Sequence, residues 1–169
     1  MVRAKYIASG FLLISVVLFA FMVPGGPVET RHFGDYPVAV LAAFNIFLTA
    51  LGIVSLLFAT LTLKENRWGA AGSMIAGVCF ALVYTLDLTK VFPISPDPMP
   101  PLLRKLEIAG LALSLPVLGS SLFLAFRTRP ANGGTPRNGW ARAYFPAIVM
   151  VFLLGLCVVV FATYHAMKK

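Results

Sequence analysis

The chain has 169 residues, of which 59% are hydrophobic and only 12% charged, with a net charge of +8 and a mean hydropathy of +0.88. Soluble domains carry roughly 25% charged residues, so this chain cannot cover a globule with polar surface. The composition excludes disorder, a collagen-like fibre and a disulfide scaffold, and the basic residues sit at the edges of apolar runs instead of forming a stripe for nucleic acid.

The apolar residues fall in five runs, each close to the roughly 20 residues that cross a bilayer core. No water satisfies backbone groups in hydrocarbon, so each run is expected to be a helix. The fold class is therefore all-α: a polytopic integral membrane protein in which residues 1–169 form a single membrane domain, one bundle of five transmembrane helices. The first span, 6–23, follows Arg3 and Lys5, and its exit lacks small residues at signal-peptidase spacing, which makes it a retained signal-anchor. The others run over 37–63, 68–92, 102–126 and 144–165, joined by links of 12, 4, 9 and 17 residues over 25–36, 64–67, 93–101 and 127–143. Eight of the twelve prolines lie in or beside the first and third links, and their fixed φ predicts stiff crossings there. Gly133 and Gly134 in the longest link mark a loop instead.

Orientation follows from the basic residues. Arg3, Lys5, Lys64, Arg67, Arg127, Arg129, Arg137 and Arg142 share one side, eight in all, against six on the other: Arg31, Lys90, Arg104, Lys105, Lys168 and Lys169. The positive-inside rule puts the eight in the cytoplasm, giving a cytoplasmic N-terminus and an external C-terminus in the cell's inner membrane. Trp68, Trp140 and Tyr144 then mark the inner interface, and Phe33, Tyr36, Phe92 and Tyr164 the outer one.

Small residues let membrane helices approach closely. Span three carries Gly69, Ser73, Gly77, Ala81, Thr85 and Thr89 at an unbroken spacing of four, a ridge suited to a right-handed crossing although it drifts about 40° per step. Gly110, Ser114, Ser121 and Ala125 repeat the pattern on span four, with Glu107 on the same face, and Leu124 serves as its lipid-facing counterpart. Asn45, Thr49, Gly52, Ser55, Ala59 and Thr62 share a broader face of span two. Pro116 is expected to kink span four.

Asp87, an ionisable group inside span three, marks a candidate site by its depth. Lys90, one turn on, is its expected partner, with His165 and Tyr164 of span five at similar height. Five of the six acids, Glu29, Asp35, Asp87, Asp97 and Glu107, fall on the outer side together with His32 and His165. The candidate polar site is therefore Asp87, Lys90, Glu107 and His165. Their spacing matches no metal motif, and no phosphate loop or nucleophile elbow is present. Cys79 and Cys157 sit in apolar runs as small buried hydrophobes. Several chemistries lack their required residue: no CxxC for thiol oxidation, no mid-membrane histidine for haem, no span-five lysine for a retinal Schiff base and no span-one glutamate for small multidrug export. No catalytic residue, cofactor or metal is assigned, and enzymatic activity is not the leading expectation.

The expected function is that of an accessory, assembly or stabilising subunit of a larger membrane complex, with the lipid bilayer and other membrane subunits, or a second copy, as partners and no nucleic acid. A small oligomeric transporter or channel with an outer-side acidic pathway is the alternative. A lipid- or quinone-directed enzyme at the outer leaflet is the second alternative.

Overall fold

The computed structural model describes residues 2–24, 27–127, 160, 163 and 164. Four helices form: α1 over Val2–Phe21, α2 over Val38–Leu63, α3 over Arg67–Leu88 and α4 over Pro101–Arg127. All four are long and apolar enough to cross a membrane, and no strand occurs among the described residues. Apart from residues 160, 163 and 164, the predicted fifth span over 144–165 lies outside the described residues, as do His165, Trp140 and Cys157. Thr163 is buried, and its Oγ1 accepts a hydrogen bond from Asn45 Nδ2 of α2 at 3.1 Å.

The four helices close a ring, α1 on α2, α2 on α3, α3 on α4 and α4 back on α1. The three-residue link between α2 and α3 makes them antiparallel neighbours, and side-chain contacts define the two ends. At the turn end, Lys5 of α1 meets Glu65 of the α2–α3 turn at 2.6 Å, and Leu124 of α4 packs with Ala8 and Ala70. At the loop end, the α1–α2 loop, described over residues 22–24 and 27–37, lies against the α3–α4 loop over residues 89–100.

The buried positions explain the packing. On α4 they are Leu103, Glu107, Gly110, Ser114, Val117, Ser121 and Leu124, and on α2 Leu41, Asn45, Ser55, Ala59 and Thr62. On α4, steps of four and three alternate, the 3.5-residue repeat of left-handed bundles. The ridge expected on α3 is corrected accordingly. Gly69, Ser73 and Gly77 are buried and Ala81 is half-buried, but Thr85 and Thr89 are exposed and return their hydroxyls to carbonyls four residues back. A strict four-residue spacing drifts off the contact face, and the interior line turns to Phe80, Tyr84 and Asp87 instead. Leu124 is corrected too: it is 4% exposed, whereas Leu115 at 65% and Phe126 at 84% occupy the outer face.

Small and polar side chains share the interior with a core of Leu12, Phe80, Tyr84 and Val117, while many other large apolar side chains point outward. Ser9 of α1 donates to the Ala59 carbonyl at 2.9 Å, and the Thr62 and Ser73 hydroxyls meet at 2.9 Å. Gly69 permits this α2–α3 contact, because a Cβ there would fall on the backbone of Leu61 and Thr62. Gly110 makes room for the Tyr84 ring, and a Cβ on Gly77 would sit 3.1 Å from Leu118 and Val117.

Two helix ends carry a positive φ on a residue other than glycine, 56° at both Glu65 and Lys90. Each is the left-handed residue of a Schellman motif. Lys90 N–H donates to the Asp87 carbonyl and Val91 N–H to that of Leu86, both at 2.9 Å, while Glu65 and Asn66 repeat the pattern on Thr62 and Leu61 at 3.0 and 3.1 Å. The Asn66 side chain then caps α3 by accepting from Trp68 N–H at 2.8 Å. This geometry ends α3 at Leu88, four residues short of the expected Phe92.

Candidate functional site

Arg31, from the α1–α2 loop, organises the loop end. Its guanidinium is held by two carboxylates at once. Nε donates to Glu29 Oε1 at 2.9 Å and Nη2 to Glu29 Oε2 at 2.6 Å. Nη1 and Nη2 also donate to Asp87 Oδ1 and Oδ2 at 2.8 and 2.7 Å. Only the planar fork of arginine presents donors for two such bidentate pairs. Glu29 makes the local fold possible by also accepting from the Arg31 backbone N–H at 3.0 Å, a chelate within three residues. The Phe33 ring lies 5.3 Å from the guanidinium carbon. Side-chain exposures of 5% for Arg31, 6% for Glu29 and 13% for Asp87 show a cluster withdrawn from solvent. Burial pulls the Arg31 guanidinium down, but its bonds to Asp87 and Glu29 outweigh that and hold it above its ordinary range.

A second tie lies nearer the surface. The His32 backbone N–H donates to Asp97 Oδ2 at 2.8 Å, and its ring Nδ1 lies 2.9 Å from the same oxygen. Ser95 Oγ donates to the His32 carbonyl at 2.8 Å, and Ile94 N–H donates to Tyr36 Oη at 2.9 Å. Phe92 packs edge-on between Tyr36 and Phe44, with centroids 5.6 and 4.9 Å away. The two proline-rich loops therefore form one cap. The His32 backbone N–H first, and its ring second, hold the Asp97 carboxyl below its ordinary 3.8. A depressed carboxyl stabilises the fold above its unfolded value and loses that contribution as pH falls through the folded midpoint. We expect the carboxyl signal of isotope-labelled Asp97 to titrate below 3.8, and His32→Ala to move it only part-way back because the backbone donor remains. A midpoint unmoved by His32→Ala would remove the ring from this tie.

Beneath Arg31 lies a cavity of about 50 Å³ lined by Glu29, Arg31, Asn45, Tyr84, Asp87 and Glu107 among apolar side chains. At roughly 10–15 Å³ per water, it takes a few waters. Glu107 and Tyr84 are each 1% exposed. Among the described residues, Glu107 Oε2 and Tyr84 Oη are buried side-chain atoms with no hydrogen-bond partner.

Residues 4–136 match the protein family described as "Domain of unknown function (DUF8051)". The chain belongs to this family. No curated protein and no solved structure matches the chain. The DUF8051 match takes in α2, α3, α4, both loops of the cap and every residue of the Arg31 cluster, and it stops short of residues 144–165.

Within this DUF8051 fold, the four sequence-predicted polar residues part company. Asp87 and Glu107 line one cavity. Lys90 is exposed and makes no ion pair among the described residues, because the left-handed turn ending α3 carries it past Asp87. His165 lies outside the described residues. The partner of Asp87 is Arg31, which sequence reasoning counted only as an orientation charge. Tyr84 was missed as well, although it continues the interior line Ser73, Gly77, Phe80 toward Asp87. No cluster of three metal-ligating side chains occurs among the described residues.

Proposed function

We propose that this chain is a polytopic membrane protein with residues 144–165 as its fifth span, its N-terminus cytoplasmic and its C-terminus outside, in the cell's inner membrane. Within that membrane it acts as a non-catalytic component, an accessory, assembly or stabilising subunit that associates with other membrane subunits or with itself. One observation carries the reading: four of the five N–H donors of the guanidinium at the polar centre are taken by Glu29 and Asp87, over a cavity of about 50 Å³. Such a centre fastens the loops to the bundle and leaves no positive group free to bind an anionic substrate. Outward-facing apolar side chains on all four helices, among them Ile14, Leu57, Ile75 and Leu115, suit a lipid or subunit environment. The eight-to-six distribution of basic residues supports the orientation.

A second reading, the outer-side acidic pathway of a small transporter or channel, is favoured by one feature: Asp87 and Glu107 share the same cavity. Native membranes, solubilised gently and captured through a tag on this chain, separate the two. The subunit reading expects stoichiometric co-purification of a defined membrane partner or a discrete homo-oligomer, together with an external reporter at Lys169 and a cytoplasmic one at Gly133. A chain that migrates alone and passes protons or small cations across vesicles would favour the pathway. A cytoplasmic reporter at Lys169 would overturn the five-span topology.

A further inference from the structure

We propose that Glu107 and Tyr84 form a buried proton-binding site, in which a proton on Glu107 Oε2 exchanges with the loop end of the bundle through the cavity beneath Arg31. The inference is independent of whether the chain serves as a subunit.

The charge count at the cavity motivates it. From α4 comes Glu107, from α3 Asp87 and Tyr84, and from the α1–α2 loop Glu29 and Arg31. The lining side chains of α1 and α2, including Phe19, Leu41 and Asn45, carry no charge, and the α3–α4 loop offers Pro93. Three carboxyls therefore face one guanidinium. Four of the five side-chain N–H donors of Arg31 go to Glu29 and Asp87, and among the described residues Glu107 Oε2 has no donor. Asp87 keeps some contact with solvent at 13% side-chain exposure, whereas Glu107 is 1% exposed. A buried carboxylate without a cation or donor is costly, and a proton removes that cost. Once on Oε2, the proton turns the bare acceptor into a donor, and an Asp87 carboxylate oxygen, Tyr84 Oη or a water in the shared cavity can accept from it. The step is a simple dissociation: the O–H bond of the Glu107 carboxyl breaks, its electron pair stays on Oε2, and the proton leaves on water. Gly110, one turn along α4, belongs to the same construction, since a Cβ there would lie 2.9 Å from Tyr84 Oη and push the phenol out of place.

The sequence makes the test clean, because it holds only three glutamates, Glu29, Glu65 and Glu107. Glu65 is paired with Lys5 and Glu29 with Arg31. Full-length protein labelled with carboxyl-13C glutamate, reconstituted in vesicles, would be examined by infrared spectroscopy at neutral pH in H2O and D2O. The expected spectrum contains a 13C-shifted carboxylic acid C=O stretch that moves down in D2O. The band should be lost in Glu107→Gln, and in Tyr84→Phe it should persist at a changed frequency. Three outcomes would overturn the proposal: no protonated glutamate band in the wild type, a band that survives Glu107→Gln, or a band insensitive to D2O. The first and third are read on the unmodified sequence, so neither depends on a variant folding.

Discussion

Replacing Arg31 by Met should destabilise the bundle by about 3–5 kcal/mol, the cost of leaving buried charges without their partner. The variant removes the guanidinium from between Glu29 and Asp87, whose side chains are only 6% and 13% exposed, and strands two carboxylates side by side. Arg31→Lys should recover part of the loss, since one ammonium cannot serve two carboxylates bidentately. Removing all three charges together, as Glu29→Gln, Arg31→Met and Asp87→Asn, should be milder than Arg31→Met alone, because no unpaired charge remains. Thermal unfolding in a fixed detergent orders the four proteins. Equal melting of Arg31→Met and wild type would mean that the cluster is a surface contact.

Gly69→Ala should be the most damaging of the glycine-to-alanine changes, at about 1–3 kcal/mol. The added methyl would meet main-chain atoms of Leu61 and Thr62, which cannot rotate aside, so α2 and α3 must separate and the Thr62–Ser73 hydroxyl contact with them. The same change at Gly10, Gly52 or Gly119 meets nothing within 4 Å. There the higher helix propensity of alanine operates alone and should stabilise by up to about 1 kcal/mol. The opposite signs are the test. A uniform effect across the four positions would dissolve the close α2–α3 approach.

Helices α1 to α4 were legible in the sequence because each is an apolar run long enough to cross a membrane, and such a run is read as a helix. Their ends were less so. Lys90 takes φ 56° where glycine would have signalled the stop, and the apolar run through Val91 and Phe92 therefore looks like continued helix. The same turn hid the polar centre. Spacing along one helix favours Lys90 as the partner of Asp87, but the true partner lies 56 positions away. Only the folding back of the α1–α2 loop, pinned by His32–Asp97 and the Tyr36–Phe92–Phe44 stack, brings Arg31 there. A better signal was available on α3. Its buried line follows a 3.5-residue repeat, and continuing Ser73, Gly77, Phe80 by that repeat reaches Tyr84 and Asp87 rather than Thr85 and Thr89. The assumption that Leu124 faces lipid failed for the same reason, since Gly110, Ser114, Val117, Ser121 and Leu124 form one such line on α4.

That Arg31 and Asp87 hold the loop end to the bundle is tested most directly by a double-mutant cycle between them. The cycle compares the unfolding free energies of wild type, Arg31→Met, Asp87→Asn and the double variant. Two hydrogen bonds at 2.8 and 2.7 Å between largely buried groups predict a coupling of about 1–3 kcal/mol, with the double variant less damaged than the two single losses added together. Losses that add to within about 0.5 kcal/mol would show the two side chains to be energetically independent and would contradict the clasp.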